Sequence, residues 1–239
     1  MAHEALKERV LRANMELVAA GLVDLTWGNV SGLDRAAGVM AIKPSGVEYD
    51  ALSVDQIVLV DLETGASIDS DLRPSSDAPT HRYLYMQFES VGGVAHTHSP
   101  HAVGWAQAER EIPCLGTTHA DHFHGPVPVT RRMRDDEVGD DYERNTGVVI
   151  VERFREGGLD PLELPGVLVV GHGPFAWGQS PEAAVENAIA LESIARMALY
   201  TRLINPSAGA IDGVLLDRHF HRKHGPGAYY GQSGERGRH

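Results

Sequence analysis

The sequence has one cysteine, Cys114, in 239 residues. A single thiol cannot pair within its own chain, so a disulfide scaffold is excluded and a reducing, cytoplasmic setting is expected. Lysine is scarce: Lys7, Lys43 and Lys223 stand among 21 basic residues, which leaves few candidates for imine chemistry. No run of about 18 apolar residues occurs, so no membrane-spanning helix is expected. The charged Glu4, Lys7, Glu8, Arg9 and Arg12 leave no room for a signal-peptide core. A formal charge of −12 argues against a nucleic-acid partner, whose binding surface is basic, although a local nest of donors can still hold a phosphate on an acidic protein. There is no Walker loop and no dinucleotide fingerprint. What is abundant is histidine, with 13 residues, and that raises the prior for a metal.

The length and the absence of repeats or composition breaks predict one domain over residues 1–232, with the Gly- and Arg-rich 233–239 as a disordered tail. Leu6, Val10, Ala13 and Leu17 share one helical face, and Gly21 is a plausible stop. Residues 29–43 read as a hairpin about a turn at Asp34 to Gly38. Ser53 to Gln56 reads as a capped turn before a strand at Ile57 to Leu62. Pro79, after Ser76 and Asp77 as cap candidates, opens a helix to about Phe88. Gly92 to Ser99 reads as a strand, His101 to Ala108 as a helix, and 112–130 as loop. Val148 to Val151 fits either strand or helix. Gly166 to Trp177 reads as a buried strand ending in a Gly/Pro bend, Pro181 to Leu203 as the clearest helix, and Asp212 to Lys223 as the last. Mixed strands and helices place the chain in the α/β class.

Three features carry chemistry. On a strand from Gly92 to Ser99, His96 and His98 project on the same face, where two imidazoles can share a cation; the plain alternative is a polar pair on a wet face. His172 follows another apolar run and sits between two glycines that allow close backbone approach. Three imidazoles with a fourth position open suit a catalytic Zn2+, with Mn2+ or Co2+ also fitting nitrogen and oxygen ligands. Asp77 stands at a helix start, as either a helix cap or an acid beside the metal. Asp121 lies in THADHFHG (118–125), otherwise a polar loop. The turns TWGNVSG (26–32), KPSG (43–46) and PSSD (74–77) offer amides and hydroxyls to an anion, or are ordinary turns. The tail DRHFHRKHGPGAYYGQ (217–232) joins His219 and Arg222 to Tyr229 and Tyr230, a packing pair or a phenol that can move a proton.

Taken in order, TWGNVS, IKPSGV, PSSDAPTHR, HTHS, GTTHAD, VGHGPFAWG and RKHG…AYYGQ resemble the class II aldolase/adducin superfamily over about residues 5–232, with the order and spacing of its epimerase branch. The resemblance implies a three-layer α/β/α fold with a largely antiparallel central sheet. It also implies a homotetramer whose active sites lie between neighbouring subunits. The implied activity interconverts L-ribulose 5-phosphate and D-xylulose 5-phosphate, a step of pentose phosphate metabolism. The alternative is a sugar-phosphate aldolase of the L-fuculose 1-phosphate type. That pattern carries Glu beside the metal, whereas this sequence has the shorter Asp77. The resemblance places His96, His98 and His172 as metal ligands with Asp77 beside them, and Asp121 and Tyr230 as the acid/base pair. Gly28, Asn29, Ser45, Gly46, Ser75 and Ser76 fall in phosphate-binding turns, and Lys43, Thr117, His219 and Arg222 at further substrate-lining positions. His122, His124, Phe220 and His221 depart from the family pattern.

Inversion at C4 makes chemical sense of these parts. The C4 proton of a sugar alcohol is not acidic, so cleaving C3–C4 is the easier route. It needs a base at the C4 hydroxyl, an electrophile for the other half, and a second proton-transfer group on the opposite face.

Overall fold

The computed structural model describes residues 3–68, 70–225 and 227–230; the expected tail at 233–239 lies outside them. The described residues form six strands and seven α-helices: α1 Glu4–Ala19, β1 Asn29–Asp34, β2 Val39–Ile42, β3 Val58–Asp61, α2 Ala78–Gln87, β4 Gly93–His96, α3 Pro100–Gln107, α4 Thr117–Ala120, α5 Tyr142–Gly157, β5 Gly166–Leu168, β6 Pro174–Gly178, α6 Pro181–Ile204 and α7 Gly213–Lys223. The strands make one sheet in the order β3-β2-β1-β4-β6-β5, each neighbouring pair antiparallel.

Strand alternation sorts the sheet residues to two faces. Val30, Ala41, Leu59, Ala95 and Ala176 pack under α1 and the first half of α6, joined by Val10, Leu17, Ala184 and Val185. Gly32 is on this face because a Cβ there would come within 2.6 Å of Pro181 and 3.0 Å of Val10. Met40, Ile42, Val58, Val60, Val94 and Trp177 face the other way, against Leu84 of α2, Phe88 just after it, and Ile150, Val151 and Phe154 of α5. Helices therefore cover both sides, which is the expected three-layer arrangement.

Most elements fall where periodicity places them. Four differences have physical causes. The strand expected over 92–99 ends at His96, because its partner β6 opens at Pro174, which has no N–H to continue the ladder. The apolar run 166–177 is two strands, folded back through a turn with Gly171 at φ +69° and a bond from the Val169 amide to the Gly173 carbonyl. Residues 148–151 are helical, since the i, i+3 and i+4 positions of α5 meet the sheet and α2. Within 112–130 the structure places the short helix α4 and a bridge between Ile112 and Val127.

Candidate metal and sugar-phosphate site

At one end of the sheet, the strands β1 and β4 stop side by side with Asn29 opposite His96. His96 is buried, and its Nδ1 donates to the Pro174 carbonyl at 2.9 Å, which leaves the Nε2 lone pair free. His98 follows two residues on, past the strand end, and presents its Nε2 3.0 Å from His96 Nε2. His172 arrives from the β5–β6 turn. The ring centroids of the three stand 4.7 to 5.3 Å apart in pairs, and one nitrogen from each falls within 4.8 Å of the others.

This donor set fits a divalent transition metal. Two Nε2 atoms facing at 3.0 Å need either a shared proton or a cation between them. Burial pushes His172 down to about 4 and lowers His98 as well, with neighbouring His96 adding to both shifts. Near neutral pH these rings are therefore uncharged ligands. The Pro174 carbonyl on His96 Nδ1 fixes tautomer and ring orientation as outer partners of metal-bound imidazoles do. Three nitrogens and no thiolate leave coordination open for a substrate.

Asp77 stands beside the triad. Although it is the residue before α2, its side chain makes no helix cap; Oδ2 instead accepts from Asn29 Nδ2 at 2.7 Å. Burial alone would raise its carboxyl, but His96, His81, Asn29 and His172 outweigh burial and hold it low. Behind it, His81 is fully buried; its Nδ1 meets Ser31 Oγ at 2.7 Å, and Ser31 Oγ also meets Tyr85 Oη at 2.7 Å. Burial drives His81 to about 3, so it is a neutral support.

The two turns expected to bind an anion close the other side. Pro44 pairs with Pro74 in an isolated bridge, the Ser45 amide donates to the Arg73 carbonyl, and the Ser75 amide donates to the Lys43 carbonyl. These bonds hold KPSG against PSSD, with Ser45, Gly46, Ser75 and Ser76 at the rim. Gly28, at φ +77°, has no room for a Cβ, which would lie 2.8 Å from the His96 carbonyl and from Val23. Lys43 is buried; its ammonium donates to the Val47 carbonyl at 2.7 Å and sits 4.8 Å over the Tyr49 ring, and burial lowers its pKa. The cleft has a volume of about 300 Å3, the lower end of the small-molecule range.

The sixteen site residues named from sequence therefore divide between two places, eleven in this cleft and five outside it. Gly28, Asn29, Lys43, Ser45, Gly46, Ser75, Ser76, Asp77, His96, His98 and His172 line this cleft, whereas Asp121, Tyr230, Thr117, His219 and Arg222 do not. Asp121 caps the C-terminal end of α4, one turn after Thr117, and is gripped by α7. Arg222 donates from Nε and Nη2 to its two oxygens at 2.9 and 2.6 Å, and His219 Nδ1 lies 3.0 Å from Oδ1. Burial would raise Asp121, but Arg222 and His219 outweigh it and hold the carboxyl low. Tyr230 is exposed, with the Arg222 guanidinium 4.8 Å over its ring. Thus α7 gathers an acid and a phenol into a second cluster.

Trp27, within the TWGNVSG turn, also lines the cleft, as do Tyr142 and Glu143, which no motif marks. Tyr142 Oη lies 3.5 Å from His172 Nδ1, and burial raises its pKa, so the phenol stays protonated. Its place depends on α5 beginning at 142, and the ambiguity over 148–151 hides that start.

Residues 8–199 match the Class II Aldolase and Adducin N-terminal domain family. The chain is 52% identical over 229 residues to the L-ribulose-5-phosphate 4-epimerase UlaF of Salmonella paratyphi B, covering 96% of this chain and 99% of that relative. It is equally similar to the UlaF of Salmonella typhi. Among solved structures, an L-fuculose 1-phosphate aldolase superposes with a TM-score of 0.76 at 20% identity, over 91% of this chain and 95% of that one. YgbL from Klebsiella pneumoniae, described as a putative aldolase/epimerase/decarboxylase, superposes with a TM-score of 0.71 at 25% identity, over 91% and 99%.

Proposed function

The chain belongs to the class II aldolase and adducin family, and from that premise we propose that it is a metal-dependent epimerase interconverting L-ribulose 5-phosphate and D-xylulose 5-phosphate. The observation that carries the reading is the convergence of His96, His98 and His172 at a cleft whose opposite wall is the bridged pair of turns at 43–46 and 73–76. The near-full-length similarity to UlaF epimerases supports the same choice of substrate.

A divalent cation on the three imidazoles, Zn2+ first and Mn2+ or Co2+ by the same donor logic, supplies the Lewis acid for the half of the sugar that keeps the electrons when C3–C4 opens. The chain's own residues do the rest. The hydroxyls of Ser45, Ser75 and Ser76 and the amides of Gly46 and Ser76, with Gly28 and Asn29 across the cleft, hold the phosphate. That grip keeps the released aldehyde half bound while it turns to present its other face. Asp77 balances charge beside the imidazoles, tied in place by Asn29. Asp121 and Tyr230 move the proton at the C4 oxygen, one on each face, with His219 and Arg222 holding the carboxylate.

Because no residue of that second cluster lines the cleft of its own chain, the reading calls on a neighbouring subunit to bring it there, in a homotetramer with shared sites. The C-terminal half of α6 supports assembly, since it leaves Met197, Tyr200, Leu203 and Ile204 exposed. Among the described residues no helix is long and apolar enough to cross a membrane. The lone Cys114 is buried, in keeping with a cytoplasmic enzyme of carbohydrate metabolism.

Product analysis tests the reading. Purified protein with zinc should convert L-ribulose 5-phosphate to D-xylulose 5-phosphate without accumulating free aldehyde. Net release of an aldehyde from a ketose 1-phosphate, with no epimer formed, would assign it to the aldolases instead.

A further inference from the structure

We propose that His124, Asp217 and His221 form a second divalent transition-metal site, of the zinc class, which fastens helix α7 to the loop that carries Asp121. The three residues lie outside the cleft described above, and one donor atom from each falls within 4.8 Å of the others. Asp217 and His221 are four residues apart on α7, so one helical face presents both. His124 comes from the loop after α4, and its Nε2 lies 2.7 Å from Asp217 Oδ1.

The surroundings hold His124 as a ligand is held. On the far side of its ring, Nδ1 lies 3.3 Å from Glu163 Oε2, placed as an outer carboxylate that would orient a metal-bound imidazole, while Nε2 faces Asp217. Its amide donates to the Glu163 carbonyl at 2.9 Å. The His124 ring stacks on buried Phe220 at 4.7 Å and 20°, and His221 meets the same Phe220 edge-on at 5.5 Å. Both imidazoles are thus positioned against one rigid ring. Two nitrogens and one carboxylate oxygen favour zinc, cobalt or nickel over calcium or magnesium, and the exposed side leaves space for water to complete the shell.

The consequence follows from what α7 carries. His219 and Arg222, which grip Asp121, lie on the same helix as Asp217 and His221. An ion shared between that helix and His124 ties the helix to the segment three residues past Asp121. This is a positioning role; the ion would touch no reacting atom.

Elemental analysis of four proteins, stripped with a chelator, refilled with zinc and dialysed, tests the proposal. Wild type should hold about two zinc ions per chain, His98→Asn about one, His221→Asn about one, and the double variant almost none. Within the His98→Asn background, zinc should raise the melting temperature, and His221→Asn should abolish that rise. Glu163→Gln should weaken the second zinc by roughly 10-fold or more while leaving the first unchanged. Asp217 and His221 are exposed, so Asp217→Asn gives a second variant that leaves the core intact. One zinc per chain in wild type, kept in His221→Asn and in Asp217→Asn and lost in His98→Asn, would overturn this site while leaving the epimerase reading standing. The absence of any zinc-dependent stabilisation in His98→Asn would also overturn it.

Discussion

Tyr230 is exposed in the single chain, yet it carries half of the proposed proton transfer. Tyr230→Phe removes one oxygen and no packing. It should leave zinc content unchanged and lower turnover by roughly 10²–10⁴-fold, the usual range for a lost acid/base group. Parallel elemental analysis and steady-state assay check this, and near-parental turnover would take the phenol out of the mechanism. At this scale much of the cleft was legible beforehand. His96 and His98 differ by two positions, and His172 is framed by glycines; such patterns survive small errors in element boundaries. The His98 argument nevertheless used the wrong geometry, since the strand stops at His96 and the second ring arrives from an extended turn. Asp77 had two readings, and only its bond to Asn29, 48 positions away, separates a site residue from a helix cap. Tyr142 and Glu143 were not legible because no local motif marks them.

Two elements position the cleft and can be tested separately. The approach to β1 turns on Gly28, whose φ of +77° and 2.8 Å clearance to the His96 carbonyl exclude a side chain. Gly28→Ala should cost about 1–3 kcal/mol in a urea titration, through strain and displacement of the His96 strand. A change within a few tenths would show that the turn can move freely. The lead into α5 is held by Glu137, which accepts from Arg131 Nη1 and Nη2 at 2.7 and 2.8 Å and from the Arg134 amide at 2.8 Å. Asn145 donates to the Glu137 carbonyl at 3.1 Å, tying this network to the helix that starts at Tyr142. The Arg131 bonds first, then the Arg134 amide, bring Glu137 from 4.5 down to about 2. A lowered carboxyl stabilises the fold above its unfolded pKa, and that contribution is lost as pH falls through the folded value. Glu137→Gln should therefore lower stability near neutral pH by about 1–2 kcal/mol. The gap should shrink as pH drops from 4.5 toward about 2. A gap independent of pH would assign the loss to packing. Helix faces and the 29–43 hairpin were legible because their periodicity is local. The split of 166–177 was not, because a run of Val and Leu hides a turn that only Gly171 and Gly173 mark.

For the whole molecule, the division of the expected site into two clusters is the feature that matters most. The imidazole cleft lies in one place and Asp121 and Tyr230, gathered by α7, in another, so the proposed mechanism needs both halves brought together. No periodicity or motif in the sequence encodes that separation, since residues from one active site and from two copies look alike in a linear chain. Mixing His98→Asn and Tyr230→Phe chains after gentle dissociation should recover about a quarter of wild-type turnover, the share of interfaces that pair two intact halves in a random ring. A mixture as inactive as its components would place both halves in one chain.

The reading as a whole rests on epimerisation that depends on a cation at His96, His98 and His172. Its most direct test follows L-ribulose 5-phosphate with a coupled assay for D-xylulose 5-phosphate, during zinc titration of metal-stripped wild type and of His98→Asn. The account predicts turnover that is absent without metal, returns as zinc is added to wild type, and stays absent in His98→Asn. Full turnover in the stripped protein, or equal recovery in His98→Asn, would contradict it.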